Sequence, residues 1–95
     1  MTDKRLLPTE TEIIGRWIID QGRTIADDAS RRISQLINGY LIDVSASEDG
    51  WDRLYRDAAD GRYWELTYPE SSTHGGGPPR LTNISQGEAK SKYNI

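Results

Sequence analysis

The sequence predicts an α+β fold: an antiparallel three- to four-stranded sheet with one long helix packed on one face and a short C-terminal helix. Three observations lead there. A β-branched apolar run, "EIIGRWIID", occupies Glu12–Asp20. From Ile25 onward the apolar residues recur at steps of three and four. Two aromatic-rich segments then flank "DAADG" at Asp57–Gly61. A strand, a helix and a hairpin in one short chain make a two-layer arrangement around a single core. The 95 residues form one domain, 1–95, in which residues 1–9 read as a flexible tail.

In the first run, Ile13, Trp17 and Ile19 fall on one pleat face and Ile14 and Ile18 on the other, so both faces are expected to be covered. Gly15 weakens the middle of such a strand unless another group must pass close by. "DQGR" at Asp20–Arg23 is a turn. The helix is expected from about residue 26 to 45, with Ile25, Ala29, Ile33, Leu36, Ile37, Tyr40, Leu41 and Val44 in its stripe and Ile42 as the outlier. Asp27 and Asp28 stand at its start, where a carboxylate caps free amides. Gly39 inside it costs about 1 kcal/mol relative to Ala, and the pattern gives no reason for its presence.

"GWDRLYRDAADGRYWELTYP" at Gly50–Pro69 predicts a hairpin, with Asp57 bonding forward into the loop and Gly61 taking a positive φ. Its register is open between two readings. In the first, Leu54 opposes Trp64 and Arg53 opposes Glu65, leaving Trp51, Arg53, Tyr55, Tyr63 and Glu65 on the outer face. In the second, slipped by one residue, Trp51, Tyr55, Trp64 and Leu66 come together and Arg53 is buried. The first is favoured because it avoids burying a guanidinium. "PESSTHGGGPP" is a loop, "RLTNI" an edge strand, and "SQGE" at Ser85–Glu88 has capping-box spacing before a short terminal helix.

Composition narrows function. Leu, Ile and Val total 18 residues and Phe is absent, so the eight aromatics must supply much of the core. Each buries roughly 150–250 Å², or about 4–6 kcal/mol gross. The formal net charge is −3, without the clustered positive face that phosphate binding needs, so nucleic acid is not an expected partner. Residues 24–50 set two arginines against five acids, a negative region suited to a basic protein partner. No cysteine is present, "MTDKRLLPTETE" is not a leader, and no apolar run reaches membrane-spanning length. A soluble cytoplasmic protein, monomeric by preference, is expected.

The chemical candidates each have a plainer reading. His74 is the only histidine, so a four-ligand zinc site is not expected. "HGGG" resembles the oxyanion loop of esterases, but no G-x-S-x-G elbow accompanies it. Gly75–Gly77 suits an anion nest or simply unusual torsions ahead of Pro78–Pro79. Asp57, Asp60, Glu48 and Asp49 fit turn and cap duty better than a calcium loop or a glycosidase pair. No catalytic residue, metal or cofactor is expected. Trp51, Arg53, Tyr55, Asp57, Asp60, Tyr63, Glu65 and His74 are the candidate partner-binding set, because Trp, Tyr and Arg dominate interface energetics. A small ligand-binding or hydrolytic protein using His74, the glycine loop and Glu65 is the alternative.

The hairpin and its loop, with "GRW" at Gly15–Trp17 and "RRISQLI" at Arg31–Ile37, resemble family 27 of the immunity proteins of bacterial polymorphic toxin systems. The family's pattern includes G-W-x-x-L-Y-x-D, D-G-R-x-W-E, T-Y-P and H-G-G-G-P-P. Here these are Gly50–Asp57, Asp60–Glu65, Thr67–Pro69 and His74–Pro79, within a resemblance over about residues 12–93. Ala58 stands where proline is usual in the family, which leaves the turn less preset. The resemblance implies a cytoplasmic protein that binds and neutralises a cognate toxin domain and has no enzymatic role.

Overall fold

A computed structural model describes residues 6–69 and 77–95. Among these residues seven strands and two helices follow in the order β1 (Glu12–Ile14), β2 (Trp17–Asp20), β3 (Arg23–Ala26), α1 (Asp28–Gly39), β4 (Ile42–Ala46), β5 (Arg53–Arg56), β6 (Tyr63–Thr67), β7 (Arg80–Ile84) and α2 (Gln86–Tyr93). Five of the strands form one antiparallel sheet in the order β1-β7-β6-β5-β4, and β2 and β3 form a separate two-stranded ribbon. The α+β expectation holds, with a larger sheet than predicted.

The predicted first strand is two strands, broken at Gly15 and Arg16. A Cβ on Gly15 would lie 2.7 Å from the Pro79 carbonyl oxygen and closer still to the Ser30 hydroxyl. The close approach that a mid-strand glycine signals is therefore present. The Gly15 N–H donates to that same Pro79 carbonyl at 2.8 Å. β2 then turns into β3 through Gln21 and Gly22, both at positive φ (50° and 79°), the conformation that matches strand twist in a two-residue hairpin.

Helix α1 is shorter than predicted. Asp27 is the N-cap, its carboxylate accepting the Ser30 N–H at 2.8 Å. The helix ends at Gly39, where the Tyr40 and Leu41 N–H groups both donate to the Leu36 carbonyl. Ile42 and Val44 instead enter β4, an edge strand paired with β5 through a register shift between Asp43 and Ser45. β-Branched residues favour the pleated surface, and the helical spacing masks the switch because it runs on without a break to Val44.

The hairpin takes the second register: Tyr55 opposes Trp64, Arg53 opposes Leu66, and Leu54 opposes Glu65. The favoured first register is thereby corrected. Its objection loses force because Arg53 sits beside the edge strand and pairs with Asp43 at 2.6 Å, keeping its guanidinium in reach of water. Trp51 leaves the strand before the pairing begins. β7 is also not an edge, since β1 covers its outer side.

The sheet is packed on both faces. Ile33 and Leu36 of α1 meet Ile13, Tyr55, Trp64, Leu66 and Leu81, with Leu6 and Leu41 closing the cluster. Ala89 and Tyr93 of α2 cover Leu54 on the other face, beside Tyr63 and Ile84. Ser85 and Glu88 complete the predicted capping box of α2.

Candidate functional site

The eight sequence-predicted residues do not converge. Trp51 is 59% exposed in the turn between β4 and β5, its backbone N–H donating to Asp49 at 2.9 Å. Asp49 also accepts the Ser47 hydroxyl, and these two bonds, the hydroxyl first, hold its carboxyl below the usual carboxylate range. Tyr55 is only 5% exposed and faces α1, so it belongs to the core rather than the outer face. Asp57 is 1% exposed and accepts the Tyr40 hydroxyl and the Ala59 N–H, each at 2.8 Å. Together with the positive φ of Gly61 (77°), this is the turn chemistry the sequence predicts.

Asp60 is exposed at the hairpin tip. It accepts the backbone N–H and the Nε of Arg62, and that backbone bond leads the causes holding its carboxyl low. Arg62 reaches farther. It donates to the carbonyls of Glu10 and Leu7 at 2.5 and 2.9 Å and lies 4.9 Å from the centre of the Trp64 ring. This arginine ties the N-terminal segment to the hairpin, a role its local sequence does not announce.

Tyr63 and Glu65 point to the face covered by α2. Glu65 accepts the Tyr93 hydroxyl at 2.7 Å and pairs with Lys92 at 2.6 Å; Lys92 also pairs with Asp52 at 2.8 Å. The two carboxylates, Asp52 first, raise the Lys92 ammonium, while burial and then the Glu65 bond push the Tyr93 phenol up. Glu65 thus clamps α2 to the sheet. His74 lies outside the described residues, as do Gly75 and Gly76.

The open apolar surface lies elsewhere. In the β2–β3 ribbon Trp17 and Ile18 are more than 40% exposed and Ile19 is 80% exposed. This corrects the expectation that both faces of the first run are covered. Behind Trp17 is a cavity of about 480 Å³ whose described lining includes Ile14, Arg16, Pro69, Pro79 and Arg80. The sequence carries a signal for the ribbon in Gly22 of "DQGR", since a glycine takes the positive φ of a tight turn without strain. Reading Glu12–Asp20 as a single strand hides it.

Among the described residues no group of three or more His, Cys, Asp and Glu side chains could hold a metal ion, and no helix is long and apolar enough to cross a membrane. The family model described as Immunity protein 27 matches residues 19–85. No curated protein and no solved structure matches the chain.

Proposed function

From the chain's place in the immunity protein 27 family, to which it belongs by a match over residues 19–85, we propose that it binds and neutralises a cognate bacterial toxin through a protein–protein interface. The work is done in the cytoplasm of the producing cell, by occlusion rather than by turnover. The family match is the observation that carries this reading. The surface supports it: large apolar side chains stand in water at Trp17, Ile18, Ile19 and Trp51. Tryptophan is among the residue types enriched at the energetic centres of protein interfaces.

Of the sequence-predicted set, Trp51, Asp60 and the half-open Arg53 and Tyr63 are available for such contacts, whereas Tyr55 and Asp57 are committed to the core. The test uses the toxin domain encoded by the adjacent reading frame. Co-expression should restore growth to cells making that domain, and the two purified proteins should elute as one complex. Failure of both rescue and co-elution removes the proposal.

A further inference from the structure

The geometry points to a docking element: we infer that the outer edge of β2, with Trp17 and Ile19, receives an extended apolar segment of the toxin that bears acidic residues. The segment adds a third strand to the β2–β3 ribbon. This rests on the proposed toxin-binding function and names the surface through which it acts.

The ladder sets which backbone groups are open. Asp20 and Arg23 flank the two-residue turn and face each other, and Ile18 faces Ile25. In an antiparallel pair the hydrogen-bonded positions alternate, so the N–H and C=O groups of Trp17 and Ile19 point away from β3. Among the described residues no strand takes them up, for the ribbon's sheet order is β2-β3 alone. β3 is the strand that packs beside α1, which leaves β2 outermost.

The other edges of the molecule are guarded. β4 carries a register shift between Asp43 and Ser45 and an ion pair from Asp43 to Arg53. β1 is three residues long. Irregularity, charge and shortness are how proteins keep sheet edges from pairing with other chains. β2 has a regular register and an apolar sequence, and neither a bulge nor a charged pair interrupts its outer edge.

Charge selects the occupant. Residues 16–26 carry two arginines against one aspartate, in a chain whose net charge is −3. Arg16 and Arg23 are exposed and bracket the ribbon; Arg23 makes no ion pair among the described residues, and Arg16 has only the N-cap carboxylate of Asp27 near it, which also accepts its backbone N–H. An apolar strand flanked by carboxylates satisfies both cations, and the cavity behind Trp17 can take one anchoring side chain.

Isothermal titration of the purified protein with the adjacent-frame toxin domain tests this. Ile19→Pro removes one outward N–H and leaves the internal ladder intact. Ile19→Asp places a charge against the incoming acidic strand, and Arg16→Glu with Arg23→Glu reverses the two cations. Each should weaken binding by about tenfold or more, with circular dichroism unchanged and with the reversal's effect shrinking at high salt. The Trp17 and Ile19 amides should exchange more slowly in the complex. If Ile19→Pro melts the domain, Ile19→Asp decides. Wild-type affinity in Ile19→Asp alongside loss of binding in Trp51→Ala overturns the inference while leaving the immunity function standing. So does a wild-type dimer that Ile19→Asp dissociates without changing toxin affinity. Absence of any wild-type binding removes the function itself.

Discussion

The five-stranded sheet and the β2–β3 ribbon draw on the same residue types and dispose of them oppositely. Trp64 and Leu81 in the sheet are fully buried in the cluster with α1, while Trp17 and Ile19 in the ribbon meet water. The sheet has neighbours on both faces for its central strands, so each apolar side chain removed from water stabilises the fold. The ribbon has α1 beside one strand and, among the described residues, no strand paired to the outer edge of the other. Burial measures what a residue does for folding, and by that measure the ribbon's outer side chains contribute little.

Substitution on the two sides should give the widest contrast in stability. Trp64→Ala should cost about 3–5 kcal/mol, because it leaves a cavity under α1 beside Tyr55 and Leu66. Ile19→Ala should stay within about 0.5 kcal/mol of wild type, as surface changes do. Urea denaturation of both variants checks the pair. A loss above about 1.5 kcal/mol for Ile19→Ala would mean that the ribbon is part of the core.

The joint between the two regions comes next in size. Gly15 lies between β1 and β2, close against Ser30 and the Pro79 carbonyl. Gly15→Ala should cost about 2–3 kcal/mol through overpacking. On a Ser30→Gly background only part of that should return, since the hydroxyl is gone but the Pro79 backbone cannot retreat. Full recovery in the double variant would show that the joint is held by Ser30 alone.

A smaller effect belongs to the body of the molecule and is read by pH. Arg32 donates to both carboxylate oxygens of Glu10 at 2.5 and 2.6 Å. That bond is the leading cause holding the Glu10 carboxyl low; burial opposes it, and the Leu7 N–H and Arg62 assist. A carboxyl depressed in the folded state contributes stability in full above its unfolded pKa, about 4.3. The contribution drains away as pH falls through the folded value. Melting temperature should therefore drop below about pH 4.3, and Glu10→Gln should flatten that drop while lowering stability at pH 7 by under about 1 kcal/mol, the pair being partly open to solvent. Equal acid slopes in the two proteins would assign the effect to Asp27, Asp49 and Asp60, whose carboxyls are also held low.

The contrast between regions also explains what could be read from residues alone. Local chemistry was legible: the Asp27 cap, the Asp57–Gly61 turn and the Ser85–Glu88 box each declare themselves within a few positions. Non-local chemistry was not. The hairpin register turned on whether Arg53 could be placed without burial, and the answer came from Asp43 on a strand the helical spacing concealed. Ile42, the residue that did not fit the stripe, was the available warning. Arg62 and Leu6 act across more than fifty residues, a distance at which no pattern in the chain points from one to the other. For the proposed interface, aromatic density points to the segment around Trp51, where Tyr55 is core, while the exposed run at Trp17–Ile19 is sparser in aromatics.

Gly39 gives the smallest effect and the opposite sign. It closes α1 immediately before the chain turns into β4, and a helical glycine usually suggests a backbone that some larger residue cannot adopt. Nothing at this joint requires that. A Cβ on Gly39 would meet no atom within 4 Å, and its φ is not in the left-handed region. The helix is ended by the Tyr40 and Leu41 N–H groups on the Leu36 carbonyl, a geometry independent of the side chain at 39. Gly39→Ala should then stabilise the protein by about 0.4–1 kcal/mol, through a less mobile unfolded chain. Urea midpoints compared at equal slope measure it. This joint would thereby behave unlike Gly15, where the glycine is forced by its neighbours. A destabilisation above about 0.5 kcal/mol would instead show that the step from α1 to β4 needs a freedom alanine lacks, and that the two joints are built alike.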